Sequence, residues 1–211
     1  MDTTQLEGLR LDFNEVSLES MGVHMLSGTV DSDTIRDATT FVLKANLLLS
    51  DDITLVLNTV GGDTSEGFAL VDVMDASRLK VKTIGMGNII SMGILLMCAG
   101  AKGHRVMMKN TCAMAHQFAA YTEGKFHELM ASHRSLMYLK QQFITHFLRH
   151  TTMTEKQIND IMFAPTDRYL SPVECKKYGI IDHVIDELPE FNLDGGFADV
   201  GTAPRRSKGK K

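Results

Sequence analysis

Three residues whose types can together hydrolyse an acyl bond stand in apolar or turn-forming surroundings: Ser91, His116 and Asp167. A serine hydroxyl is a poor nucleophile at neutral pH, so it needs a base within hydrogen-bond reach and donors where negative charge develops. Ser91 lies in Gly87-Asn88-Ile89-Ile90-Ser91-Met92-Gly93, at the head of an apolar run to Ala99 that reads as a helix. A helix N-terminus presents free backbone N–H groups and a positive dipole end, which favour a developing anion. Residue 89 is isoleucine, so the segment is not the Gly-x-Ser-x-Gly elbow. Gly61-Gly62 follows a strand-like run ending at Thr59, where two glycines let the chain turn sharply and bring its amides against a bound group. His116, in Met114-Ala115-His116-Gln117-Phe118, follows another strand-like segment, and Asp167 lies in Pro165-Thr166-Asp167-Arg168-Tyr169-Leu170-Ser171. Each also has a plain alternative: a helix cap for Ser91, a turn for the glycines, a structural imidazole for His116, a loop carboxylate or cap for Asp167.

The elements that must bring these residues together are legible in the periodicity. Ile35, Ala38, Val42, Ala45 and Leu49 recur at helical spacing, with Asp31, Ser32 and Asp33 available as caps. Ile53 to Thr59 is short, apolar and rich in strand formers, and the glycine pair ends it. Thr64 or Ser65 can then cap a helix carrying Phe68, Val71, Met74 and Leu79. Val81 to Met86 reads as the next strand and Ser91 to Ala99 as the next helix, an alternation that implies a parallel sheet with crossover helices. A strand pair is expected around Arg105–Met108 and Cys112–His116. A stripe of Phe126, Leu129, His133, Leu136, Phe143 and Phe147 then predicts a helix over about 125–150, roughly 39 Å long at 1.5 Å per residue. Such a helix outreaches a domain of this size and is expected to project onto another subunit. Thr151 to Met162 reads as a further helix capped at Thr152 or Thr154, and Ser171-Pro172-Val173-Glu174 is a capping box with proline at the first helical position.

Composition narrows the function classes. The 211 residues suit one well-filled domain, and 44% hydrophobic with 23% charged residues is the balance of a globular protein. The apolar run Ile89 to Gly100 is too short to span a bilayer, and no secretory leader opens the sequence, so the expected compartment is the cytoplasm, away from any membrane. Three cysteines without CxxC spacing predict free, buried thiols rather than disulfides or a zinc site. A net charge of −4 disfavours nucleic acid as partner, although five of the last seven residues are basic. That tail, residues 194–211, is expected to be flexible.

The chain resembles the proteolytic subunit of the Clp protease (ClpP) family. The resemblance spans roughly Met25 to Val184 and rests on ordered blocks: Leu57-Asn58-Thr59-Val60-Gly61-Gly62, Ser91-Met92-Gly93, Ala99-Gly100-Ala101-Lys102-Gly103-His104-Arg105, His116-Gln117, Asp167-Arg168-Tyr169-Leu170-Ser171 and Glu174 to Asp182. It implies an α/β fold of the ClpP/crotonase type, with repeated β-β-α units, a parallel sheet and a projecting handle helix. It also implies an axial-type N-terminal segment over 1–22 and a peptidase domain over 23–193. By the same resemblance Ser91 is the nucleophile, His116 the general base and Asp167 the group that orients it, with the backbone N–H groups of Gly62 and Met92 forming an oxyanion hole. No cofactor or metal is implied. The implied partners are other copies in heptameric rings, single or double, an AAA+ ATP-dependent unfoldase, and polypeptide substrates.

The sequence departs from the family at several places: Val60 stands for proline, Asp63 for a small apolar residue, Ile90 for alanine, Phe118 for proline, Ala119-Ala120 for a glycine pair and Thr166 for arginine. Three other readings share the fold: a capsid-precursor maturation protease of viral type, a non-catalytic ring subunit, and a crotonase-type acyl-CoA enzyme. The intact Ser91, His116 and Asp167 set argues against the last two.

Overall fold

A computed structural model describes residues 17–49, 51–189, 191–192 and 196–197. Strand β1 (Val23–Val30) leads into helix α1 (Ser32–Leu48), then β2 (Ile53–Gly62), α2 (Thr64–Ala76), β3 (Val81–Ile90) and α3 (Met92–Ala99). Capping chemistry explains where the first helices start. Asp31 accepts from the N–H groups of Asp33 and Thr34 ahead of α1. Ahead of α2 the cap is Asp63, not Thr64 or Ser65 as the sequence suggested: its carboxylate takes the N–H of Ser65 at 2.7 Å and of Glu66 at 3.0 Å. Asp63 is the last extended residue before the helix, the position from which a side chain reaches those free donors.

β1, β2 and β3 pair in parallel, and β2 is buried on both faces from Ile53 to Leu57, as a strand covered on both sides must be. The sheet then divides along β3. Its first half pairs with β4 (Arg105–Met108) through Thr83 to Gly85, and its second half pairs with β5 (Cys112–Ala115) through Asn88 to Ile90. β4 and β5 are therefore both neighbours of β3, and the expected pair between them does not form. The split falls where β3 bends at Gly87, φ 62°, which packs against the Asn58 side chain; that side chain also accepts the Asn88 N–H at 3.0 Å. β6 (Arg168–Leu170) pairs antiparallel with β5, and β7 (His183–Ile185) pairs parallel with β4. β8 (Phe191–Asn192) and β9 (Gly196–Phe197) form a separate antiparallel pair. The expected axial segment is described only from residue 17 and the expected tail only at 196–197; the rest of both lies outside the described residues.

Every residue of α3 is buried, so the helix behind Ser91 is itself the core of the molecule. α2 and the end of α4 (Phe126–His150) pack against it, and α1 packs in turn on α2 and β1. Only the second half of α4 is anchored, through Phe143, Ile144, His146 and Phe147, while Phe126, Met130, Met137 and Tyr138 face solvent. α5 (Glu155–Met162) is capped by Thr154, and α6 (Pro172–Lys177) carries the expected Ser171–Glu174 capping box. Arg105, almost fully buried, ties the far end of α3 to the rest: it bonds the Asp182 carboxylate at 2.7 and 2.9 Å and the carbonyls of Cys98 and His150.

Candidate active site

Ser91 closes β3 and opens α3 with φ 55° and ψ −118°. Among the described residues it is the only non-glycine residue with positive φ. Such a conformation costs a side-chain-bearing residue about 1–3 kcal/mol, so its neighbours must hold it. The Ser91 N–H donates to the Met114 carbonyl of β5 at 2.8 Å, and the Ser91 carbonyl accepts from the Ile94 N–H at 3.0 Å. The hydroxyl makes no capping bond to α3. The plain reading of Ser91 as a helix cap therefore fails, and the strained turn leaves its hydroxyl uncommitted.

The glycine pair, read in the sequence as the stop of a strand ending at Thr59, instead stays within β2, with Gly61 opposite Thr29 and Gly62 opposite Val30 past a bulge at Val60, and is pressed against this turn. Gly61 has φ 83°, and a Cβ there would lie 2.7 Å from the Ser91 Cβ and 3.0 Å from the Met92 nitrogen. Gly62 has φ 153°, and a Cβ there would collide with the Val30 carbonyl oxygen. Met92 is the first residue of α3, so its N–H is one of the donors that a helix cannot satisfy internally.

His116 follows β5 directly and lines one cavity with Ser91 and Gly62, of about 140 Å³. It is the only imidazole among the lining residues. Asp167 immediately precedes β6. The β5–β6 ladder pairs Ala113 with Leu170, Met114 with Tyr169 and Ala115 with Arg168, so one further step sets position 116 opposite position 167. Asp167 is exposed and does not line the cavity. Among the described residues no hydrogen bond joins Ser91 to His116 or His116 to Asp167; the nearest anchor is Gln117, whose amide donates to the Phe163 carbonyl at 2.7 Å.

The inner wall of the cavity is apolar: Ile94, Phe118, Phe143, Phe147, Met162 and Phe163. Phe118 stacks on Phe143 with centroids 6.1 Å apart and meets Phe163 edge-on at 6.1 Å, both favourable ring geometries. Neither buried cysteine is suited to act as a nucleophile, because burial pushes the thiols of Cys98 and Cys175 up to about 12, far from the thiolate form. All three cysteines are free. Among the described residues no group of three His, Cys, Asp or Glu side chains is placed to hold a metal ion, and no helix is long and apolar enough to cross a membrane.

A hydroxyl on a strained strand-to-helix turn, an imidazole across a small cavity and a glycine-rich turn at its mouth are the parts of a serine-type peptidase. The Clp protease family profile matches residues 17–188, and the chain belongs to that family. It is 36% identical over 184 residues to the ATP-dependent Clp protease proteolytic subunit 3, chloroplastic, of Arabidopsis thaliana, covering 82% of this chain and 57% of that protein. It is 34% identical to the ATP-dependent Clp protease proteolytic subunit 2 of Thermobifida fusca, covering 66% of this chain and 68% of the relative. The subunit from Deinococcus radiodurans is also 34% identical, over 69% of this chain and 74% of its own length.

One part of the site escaped the sequence. The aromatic wall was hidden because Phe143 and Phe147 read as one stripe of a long helix.

Proposed function

We propose that the chain is a serine endopeptidase in which Ser91 attacks the peptide carbonyl, His116 takes the hydroxyl proton and Asp167 holds the imidazole. The observation that carries this reading is the convergence of Ser91, His116 and Gly62 on one apolar cavity, with Ser91 on a strained turn. In the first half-reaction the Ser91 oxygen bonds to the carbonyl carbon, the C–N bond breaks, and the proton passes through His116 to the leaving amine. Water then attacks the acyl-serine by the same route in reverse. The N–H groups of Gly62 and Met92 stabilise the oxyanion at each tetrahedral stage. The open hydrogen bonds of the triad accord with a free enzyme, since catalytic contacts commonly close only around substrate.

The cavity resembles in size the cavities of about 150 Å³ that admit benzene, so it suits the side chain of Leu, Met or Phe beside the cleaved bond. The relatives are named as subunits of ATP-dependent proteases. The same reading gives this chain a cytoplasmic setting, unfolded polypeptide substrates, an AAA+ unfoldase that delivers them, and a ring of identical copies. Exposed Phe126, Met130, Met137 and Tyr138 along the first half of α4 support assembly, because an apolar stripe of this kind is normally covered. A native mass of one chain at working concentration would remove the ring from this reading. Hydrolysis of a short fluorogenic peptide tests the chemistry. Ser91→Ala and His116→Ala are each expected to lower kcat by at least ~10,000-fold with melting temperature retained, and full activity in either variant would refute the assignment.

A further inference from the structure

One buried side chain joins the glycine turn to the nucleophile helix. Thr59 is fully buried, and its hydroxyl donates to the Gly28 carbonyl of β1 at 2.6 Å while accepting the Gly61 N–H at 3.0 Å. These bonds lie where the β1–β2 register slips: Gly28 pairs with Thr59 but Thr29 pairs with Gly61, so Val60 is the extra residue of a bulge. A bulge breaks the local ladder, and here the hydroxyl bridges the break with side-chain hydrogen bonds. The methyl group of the same residue packs on α3, since a Cβ at Gly93 would lie 2.8 Å from the Thr59 Cγ2. Gly93 is two residues from Ser91.

We propose that Thr59 is a positioning residue for peptide hydrolysis: its hydroxyl fixes the Gly61-Gly62 end of β2 where the ladder resumes past the bulge, and so aims the Gly62 N–H at the oxyanion formed on the Ser91-bound carbonyl. This end of β2 has two glycines in conformations open to few other residues and an exposed Gly62, and its ladder to β1, Gly61 opposite Thr29 and Gly62 opposite Val30, resumes only after the bulge at Val60. Among the described residues its one side-chain tether is the Thr59 hydroxyl on Gly61. Loosening that tether leaves the substrate side-chain cavity intact, because Thr59 does not line it. The effect therefore falls on kcat and not on KM, the signature of an interaction made only in the transition state.

This inference rests on the peptidase reading above, and the experiment separates the two. Peptide hydrolysis is measured for the wild-type chain, Thr59→Val, Thr59→Ser and Thr59→Ala, together with covalent labelling of wild-type Ser91 by a fluorophosphonate. Valine keeps the shape and removes the hydroxyl; the Ser and Ala variants differ from each other by that oxygen alone. Thr59→Val is expected to lower kcat about 10- to 100-fold with KM within about two-fold, since loss of a whole oxyanion donor costs about 100- to 1,000-fold. Thr59→Ser is expected to retain kcat within about three-fold of wild type and to exceed Thr59→Ala about ten-fold. Should the valine variant fail to fold, the Ser and Ala pair decides the matter. A labelled, active wild type whose Ser and Ala variants share one kcat overturns the tether and leaves the peptidase standing. A wild type that neither cleaves peptide nor labels at Ser91 overturns both.

Discussion

Gly61 sits so close to Ser91 that a methyl group there would displace it, and the displacement would carry Gly62 with it. Gly61→Ala is therefore expected to lower kcat about 100- to 1,000-fold, as for loss of an oxyanion donor, while the core remains folded. Peptide cleavage beside a melting curve checks this, and an active Gly61→Ala protein would show that the turn does not set the donor. The glycine pair, Ser91 and His116 were legible in the sequence because each adjoins a strand or helix whose pattern is clear. Asp167 stood out only through its family block, since nothing local distinguishes it from other loop carboxylates, and the fold leaves it exposed and outside the cavity. Thr59 stood within the Leu57 to Gly62 block, but nothing in the sequence marked the two hydrogen bonds of its hydroxyl. Its partner Gly28 is 31 residues away, and the register slip that brings the two together is a property of the sheet.

The division of β3 is what makes the site possible. Its first half continues the sheet through β4, and its second half leaves that plane to pair with β5, carrying Ser91 and His116 to the same cavity. Periodicity ended this strand at Met86, because Gly87 and Asn88 look like a turn; Asn58 instead holds them within the sheet by a hydrogen bond to Asn88. The aromatic wall was equally hidden, since it is assembled from the segment after β5, the end of α4 and the end of α5. Phe118 is the wall residue that departs from the family's proline, and it narrows the cavity by stacking on Phe143. Phe118→Ala is expected to raise kcat/KM for a peptide with Trp before the cleaved bond relative to one with Leu by about 10-fold, the order of effect that small volume changes have in apolar pockets. An unchanged ratio would remove Phe118 from the specificity wall.

The molecule as a whole hangs on α3, and a polar cluster lies at its buried end. The His146 Nε2 lies 3.1 Å from the Leu95 carbonyl and 3.3 Å from the Cys98 sulfur, and its ring stacks on His150 at 4.4 Å. Burial first, and His150 second, push His146 down to about 3, and burial also lowers His150. The His146 ring is thus neutral in the fold and charges on unfolding below its ordinary value, and His150 is shifted in the same direction. Stability is fully present above about pH 6.5, the unfolded value, and is lost as pH falls toward the folded value, by ~2 kcal/mol at pH 5 for His146 alone. Urea unfolding at pH 7 and pH 5 is expected to show a smaller loss in His146→Leu than in wild type, whereas equal losses would contradict the assignment. Helix count and parallel sheet could be anticipated from alternating patterns, but the histidine read into the stripe of α4 was His133, whereas the one the fold buries is His146. Burial depends on which half of that helix meets α3. All of these parts matter to function only if Ser91 is the reacting group. Fluorophosphonate treatment followed by peptide mass mapping tests that directly: the account predicts one adduct, on Ser91, absent from Ser91→Ala and slowed in His116→Ala. An adduct on another residue, or labelling that survives Ser91→Ala, would contradict it.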